Sequence, residues 1–323
     1  MLLRKRRQGA PSTADPVQAL NQTWSRYARE WDDRPDLNLG VKTLGEEWGG
    51  AEFAERIVTD VAAPYLGDQV DVLEIGCGGG KFSAHLRPRT RHLICADISA
   101  DMLARTRRHV GEGPDVEYVQ LSGRDFAGVP DASVDFIYSY DVLLHLQPQN
   151  VFSYLRDARR VLRPGGVFMV HAINLAASGG AYHFEVQYVQ DTWSRAFDDP
   201  HRLGHIYYMS EDQLRSLAGL ARFSVDRMIT DWPPPGDPMR SVTSGRDTIG
   251  FLRREPGIHE QRDVRIIKAP DERFYAIADG RRREFQMTEI LEGAGYALDA
   301  AEPIGAEELA ALPEDQPVSR WEY

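Results

Sequence analysis

The segment VLEIGCGGGKF, Val72 to Phe82, sets Glu74 and a cluster of glycines between an apolar run and the start of a helical pattern. A glycine-rich bend at such a junction lets backbone approach a ligand, because no Cβ stands in the way. Spacing decides which ligand. A phosphate-cradling loop needs Gly, four residues and then Gly-Lys-Ser/Thr. Gly80-Lys81 is present, but Ile75 occupies the first glycine position and Phe82 the magnesium-binding hydroxyl position, so that reading fails. The dinucleotide fingerprint G-x-G-x-x-G begins on Gly76 and Gly78 and breaks at Lys81. The pattern that is complete is acidic-x-Gly-x-Gly-x-Gly, on Glu74, Gly76, Gly78 and Gly80. Asp97 closes the next apolar run, HLICAD, where a carboxylate can accept from both hydroxyls of a ribose; dinucleotide enzymes place an acid similarly.

This loop resembles motif I of the class I S-adenosylmethionine-dependent methyltransferases, and further matches follow in order. ADISADML resembles the second motif, and LSGRDF sits where the family has its adenine-contacting loop. DASVDFIYSYDVLLHL and RVLRPGGVFMV resemble the fourth- and fifth-strand motifs, so the resemblance covers about residues 70 to 173. It implies S-adenosylmethionine as cofactor, held along Gly76, Cys77, Gly78 and Gly80. Glu74 would hold the cofactor's ammonium, directly or through water. Asp97 would take the ribose, and Ile98 and Met102 would pack on adenine. Gly123 and Arg124 stand at the adenine edge, where the usual Gly-Asp is replaced by Gly123-Arg124-Asp125; Tyr140 closes the fourth strand beside the cofactor. LGEEWGG resembles pre-core segments of small-molecule members, which makes Tyr27 and Trp48 candidates for a cap over the cofactor. Aromatics at helical spacing, as Trp24, Tyr27 and Trp31 are, also serve plain core packing.

At the acceptor, methyl transfer from a sulfonium asks for in-line positioning and, for a hydroxyl, removal of a proton. His145, just past the fourth strand, is the candidate base; Asp141 could orient a partner, touch the cofactor or act as base; His171 lies at the tip of the fifth strand. The Asn/Asp-Pro-Pro-Tyr/Phe motif of nucleic-acid and protein amine methylation is replaced by SYDVLLHL. His183, His201 and His205 show no metal-ligand spacing, so no metal is expected. The expected activity is O-methylation of a small molecule or sugar in a biosynthetic pathway. The rivals are N-methylation and a non-catalytic binding protein of the same fold.

These residues need a scaffold, and the alternation of strand and helix patterns supplies an α/β one: a Rossmann-like, doubly wound sheet. The family fold has seven strands with one antiparallel, which RDTIGFLRRE could supply. The expected organisation is a helical cap over 1–66, a cofactor-binding domain over 67–256 with a lid insertion at about 175–209, and a small α+β module over 257–323. The 323 residues carry a net charge of -11, which argues against nucleic acid as a partner. The cysteines, Cys77 and Cys95, form no disulfide framework, and no apolar run is long enough to span a membrane. A cytoplasmic enzyme is expected. The module's role is open between homodimer contact, substrate cover and carrier docking.

Overall fold

The computed structural model describes residues 16–34, 39–189, 206–240, 244–256, 264–293 and 296–318. Its centre is a seven-stranded sheet in the order β3-β2-β1-β4-β5-β7-β6. The strands are β1 (Gly67–Ile75), β2 (Thr90–Asp97), β3 (Val116–Gln120), β4 (Val134–Ser139), β5 (Leu162–Ile173), β6 (Phe223–Ile229) and β7 (Asp247–Arg254). β1 to β5 pair in parallel and β7 runs antiparallel to both β5 and β6, as the RDTIGFLRRE expectation requires. The central strands read as unbroken apolar runs because helices cover both faces. Separate clusters line the two faces: Leu73, Ile75, Ile137 and Phe168 on one, Val72, Phe136, Tyr138 and Phe251 on the other. The strand order reverses between β1 and β4, so the crevice above their carboxyl ends is where such sheets bind ligands.

Local chemistry sets the flanking elements. Helix α1 (Pro16–Glu30) packs beside α4 (Ala100–Val110), where the Ser25 and Ser99 hydroxyls lie 2.8 Å apart and Arg105 donates to the Ala28 carbonyl. Helix α2 (Gly50–Arg56) runs on into a π-helical turn, Ile57–Ala62, and α3 (Ser83–Leu86) follows the glycine loop. Ser99 caps α4 by accepting from the Met102 N–H. Helix α5 (Pro148–Val161) starts on a proline, which needs no N–H there. The RPGG turn expected after α5 is absorbed into β5: Val134 pairs with Leu162 and Phe136 with Val167, so the chain between bulges out of the ladder. Helix α6 (Ser178–Val189) carries the first half of the expected lid; His201 and His205 lie outside the described residues. A capping box of Ser210 and Gln213 starts α7 (Glu211–Leu220).

A second, four-stranded sheet in the order β10-β9-β8-β11 is built from β8 (Arg265–Lys268), β9 (Phe274–Ala278), β10 (Arg281–Phe285) and β11 (Glu302–Pro303). A hairpin joins β9 to β10 at Asp279-Gly280, with positive φ at both residues (51° and 71°) as a type I′ turn demands. Helices α8 (Thr288–Gly293) and α9 (Ala306–Ala311) supply Ile290 and Leu291 to one apolar cluster and Leu309 to another. The arginines of β10 do not form one exposed patch: Arg283 is 1% exposed and its guanidinium donates to the carbonyls of Gln316 and Pro317. Among the described residues no helix is long and apolar enough to cross a membrane.

Candidate active site

The glycine loop is fixed from below. Gly76 and Cys77 both donate to the Ala96 carbonyl, at 2.7 and 3.2 Å, and Gly80 donates to the Cys77 carbonyl. Gly76, Gly78 and Gly80 all have positive φ, which residues with a Cβ rarely adopt. Their surroundings differ. A Cβ on Gly76 would collide with Val142, and one on Gly80 would press on Val110 and His109. Around Gly78 nothing but its own loop's Gly76 carbonyl lies within 4 Å, so its face is open toward the cavity above. Asp97 ends β2 at 6% exposure; its carboxylate accepts from the backbone N–H of Gly78 at 3.0 Å and of Ser99 at 2.8 Å. Burial pushes its pKa up to about 6, against the pull of those donors.

The cavity above the loop holds about 690 Å³ and is mostly apolar, a size suited to small ligands. Gly76, Cys77, Gly78, Asp97, Ile98, Met102 and Gly123 form one end. Trp24, Trp48, Leu44 and Gly45 close it from the N-terminal side, and Tyr140, Asp141, His145 and Asp247 lie on the far side. His145 ends a 3-10 turn, Leu143–His145, and meets Trp24 edge to face at 5.3 Å.

Behind the far wall is a buried charge relay. The His171 ring stacks flat on Tyr140 at 4.0 Å, with Nδ1 3.3 Å from Asp141 and Nε2 3.3 Å from Asp247. Burial alone lowers its pKa, but Asp247 and Asp141 outweigh that and raise it to about 9. The Asp141 backbone N–H also lies 3.1 Å from Nδ1, a bond that only the neutral ring can accept. The carboxylates thus favour a second ring proton at the expense of that bond. Asp247 is held well below the usual carboxylate range: burial opposes this, and His171 and the bidentate Arg246 overcome it. Asp141 is depressed in the same way, against burial, by His171 and by Lys81, whose Nζ is 3.9 Å away.

The structure separates the sequence candidates. The loop residues Gly76, Cys77 and Gly78 join Asp97, Ile98, Met102, Gly123, Tyr140, Trp48, Asp141 and His145 around one cavity. The remaining candidates stand off its wall. Glu74 is buried beneath the loop, accepting from the Ser83 hydroxyl at 2.5 Å, and burial raises its pKa to about 8. Gly80 faces α4, and Tyr27 lies behind Trp48, stacked on it at 5.5 Å with its hydroxyl on Glu47. The Arg124 backbone is engaged by Ser122 and Ser153. His171 has no exposed surface.

Sequence reasoning missed Lys81, whose Nζ donates to the carbonyls of Gly45 and Trp48 at 2.9 and 3.2 Å and ties the cap to the loop. It also missed Phe53, Trp232, Arg246 and Asp247, all on the cavity wall. A charged pair opening the antiparallel strand, beside the tip of the fifth, was the available signal for the last two. Among the described residues no cluster of His, Cys, Asp and Glu is arranged to hold a metal ion.

Residues 72–166 match the methyltransferase domain family. A malonyl-[acyl-carrier protein] O-methyltransferase of Dechloromonas aromatica is 31% identical over 244 residues, covering 73% of this chain and 79% of that protein. The chain belongs to the S-adenosylmethionine-dependent methyltransferases. A methyltransferase of Claviceps purpurea is 31% identical over 144 residues, 41% of this chain and 42% of that protein, so the chain spans less than half of that relative's length. Magnesium protoporphyrin IX methyltransferase of Synechocystis, solved with S-adenosylhomocysteine bound, shares the fold at a TM-score of 0.53 and 15% identity, over 75% of this chain and all of that one. S-adenosylmethionine is the cofactor of this methyltransferase, and the cavity fits it: an open glycine, a buried carboxylate at Asp97 and apolar flanks at Ile98 and Met102.

Proposed function

We propose that this protein methylates an oxygen atom of a small molecule in a biosynthetic pathway. The observation that carries the reading is the one cavity that joins the glycine loop and Asp97 to Asp141 and His145, so both reactants can share it. Bound S-adenosylmethionine supplies an electrophilic methyl group on a sulfonium. The chain's own part is to hold the acceptor, exclude water and take a proton. His145, on the wall and braced by Trp24, is the base we assign to the acceptor hydroxyl. Asp141 and Asp247 are poor bases because their partners hold them ionised; their role is to hold His171 and, through it, the Tyr140 ring. His171 is a positioning residue. The O-methyltransferase from Dechloromonas supports oxygen as the reacting atom, since its match spans most of both chains.

The test is transfer of labelled methyl from S-adenosylmethionine into a size-fractionated extract. Label in the small-molecule fraction supports the reading, and label in protein moves the acceptor class. No label, with cofactor binding intact, favours a non-catalytic role. His145→Ala should cost roughly 100-fold or more in kcat with cofactor affinity retained; unchanged turnover removes His145 as base.

A further inference from the structure

Three aromatic rings from distant parts of the chain meet at the acceptor end of the cavity. Phe53 comes from α2, Tyr140 from the end of β4, and Trp232 from the loop between β6 and β7. Phe53 stands edge to face with both others: 6.0 Å and 66° to Tyr140, 5.4 Å and 70° to Trp232. The Tyr140 ring is 3% exposed and is held from behind, stacked flat on His171 at 4.0 Å, so it forms the fixed floor of the corner. The Trp232 loop is clamped from outside the cavity. Arg56 forms a bidentate pair with Asp237 at 2.9 and 2.8 Å, and its guanidinium lies 5.6 Å from the Trp232 ring centre.

Resting on the methyltransferase reading, we infer that the acceptor is a flat aromatic molecule bearing a hydroxyl, bound in the corner of Phe53, Tyr140 and Trp232. A sugar would need a polar partner for each hydroxyl, and the charged side chains on this wall are already engaged, Arg246 with Asp247 and Lys81 with the carbonyls of Gly45 and Trp48. A cationic acceptor could exploit the same rings, but it would meet Arg246 and Lys81 on the wall. The carboxylates that could offset it are taken, Asp247 by Arg246 and Asp141 by His171 and Lys81. An aromatic ring gains edge-to-face contacts with Phe53 and Trp232 above the Tyr140 floor, within the cavity that His145 also lines.

The test is calorimetric titration of the full-length protein with 2-naphthol, methyl glucoside or choline, with and without S-adenosylhomocysteine. The expected result is that 2-naphthol binds most tightly with S-adenosylhomocysteine present. Trp232→Ala and Phe53→Ala should each weaken it roughly 3- to 10-fold. Arg56→Gln should weaken it too, while S-adenosylhomocysteine affinity stays as it was. Tighter binding of methyl glucoside or choline, or 2-naphthol affinity indifferent to Trp232→Ala, overturns the inference. Failure of S-adenosylhomocysteine to bind counts against the transferase reading instead, and the Trp232 dependence of 2-naphthol still decides the acceptor class.

Discussion

Asp97 sits at the mouth of the glycine loop with a pKa of about 6, and only its ionised form can accept from both hydroxyls of a ribose diol. Cofactor affinity should therefore be flat above neutrality and fall as pH drops through about 6, by up to ~10-fold per unit. Titration of S-adenosylhomocysteine from pH 5 to pH 8 checks this, and Asp97→Asn should lower affinity and abolish the slope. Stability of the unliganded fold moves the other way. The folded pKa lies above the unfolded one, so the folded state holds the proton more tightly. That contribution is present below the unfolded pKa and is lost as pH rises through the folded one. Glu74 gives the contrasting case. With a pKa of about 8 it is neutral at pH 7, bonded to Ser83 and away from the cavity wall. Glu74→Gln keeps that shape and charge, so S-adenosylhomocysteine affinity should stay within roughly 3-fold of the parent. A loss of 100-fold would mean that an ionised Glu74 holds the cofactor's ammonium.

At the scale of elements, Lys81 ties the 45–48 segment of the cap to the glycine loop. Lys81 is buried, donates to two carbonyls of the 45–48 segment and has its pKa lowered by burial. Lys81→Met leaves those carbonyls without their donor, which should cost ~1–3 kcal/mol of stability. Amide exchange in residues 43–49 should accelerate and S-adenosylhomocysteine affinity should fall about 10-fold; unchanged exchange would show that the aromatic packing of Trp24 and Trp48 holds the cap unaided. Lys81 also marks where sequence reading stops. The strand–helix alternation of the large sheet and the antiparallel β7 were legible because each rests on local periodicity. The cofactor end was legible because Gly76, Gly78 and Asp97 belong to consecutive elements. Gly76 and Gly80 also answer a need the sequence did not show: they clear Val142 and α4. The acceptor end was not legible, since Phe53, Tyr140 and Trp232 meet only through the tertiary fold, and DWPPPGDP reads locally as irregular chain.

At the scale of the molecule, the apolar clusters divide cleanly. Those of the seven-stranded sheet draw on residues up to Leu252, whereas those on the two faces of the four-stranded sheet draw only on residues from Val264 onward. A contact described between them is polar, with Arg222 4.0 Å from Asp315. Hydrophobic burial dominates folding cooperativity, so two cores without shared side chains should melt as two units. At roughly 55 residues the smaller one is near the lower size limit for independent folding, and it should melt first. S-adenosylhomocysteine at about 100 times its Kd stabilises whatever binds it by ~2.7 kcal/mol, which for a unit of some 200 residues is roughly 5–10 °C. Scanning calorimetry should show the larger transition rising by that amount while the smaller stays fixed. A single transition that moves as a whole would mean that the two sheets fold as one, and that the terminal sheet helps hold the catalytic one in place.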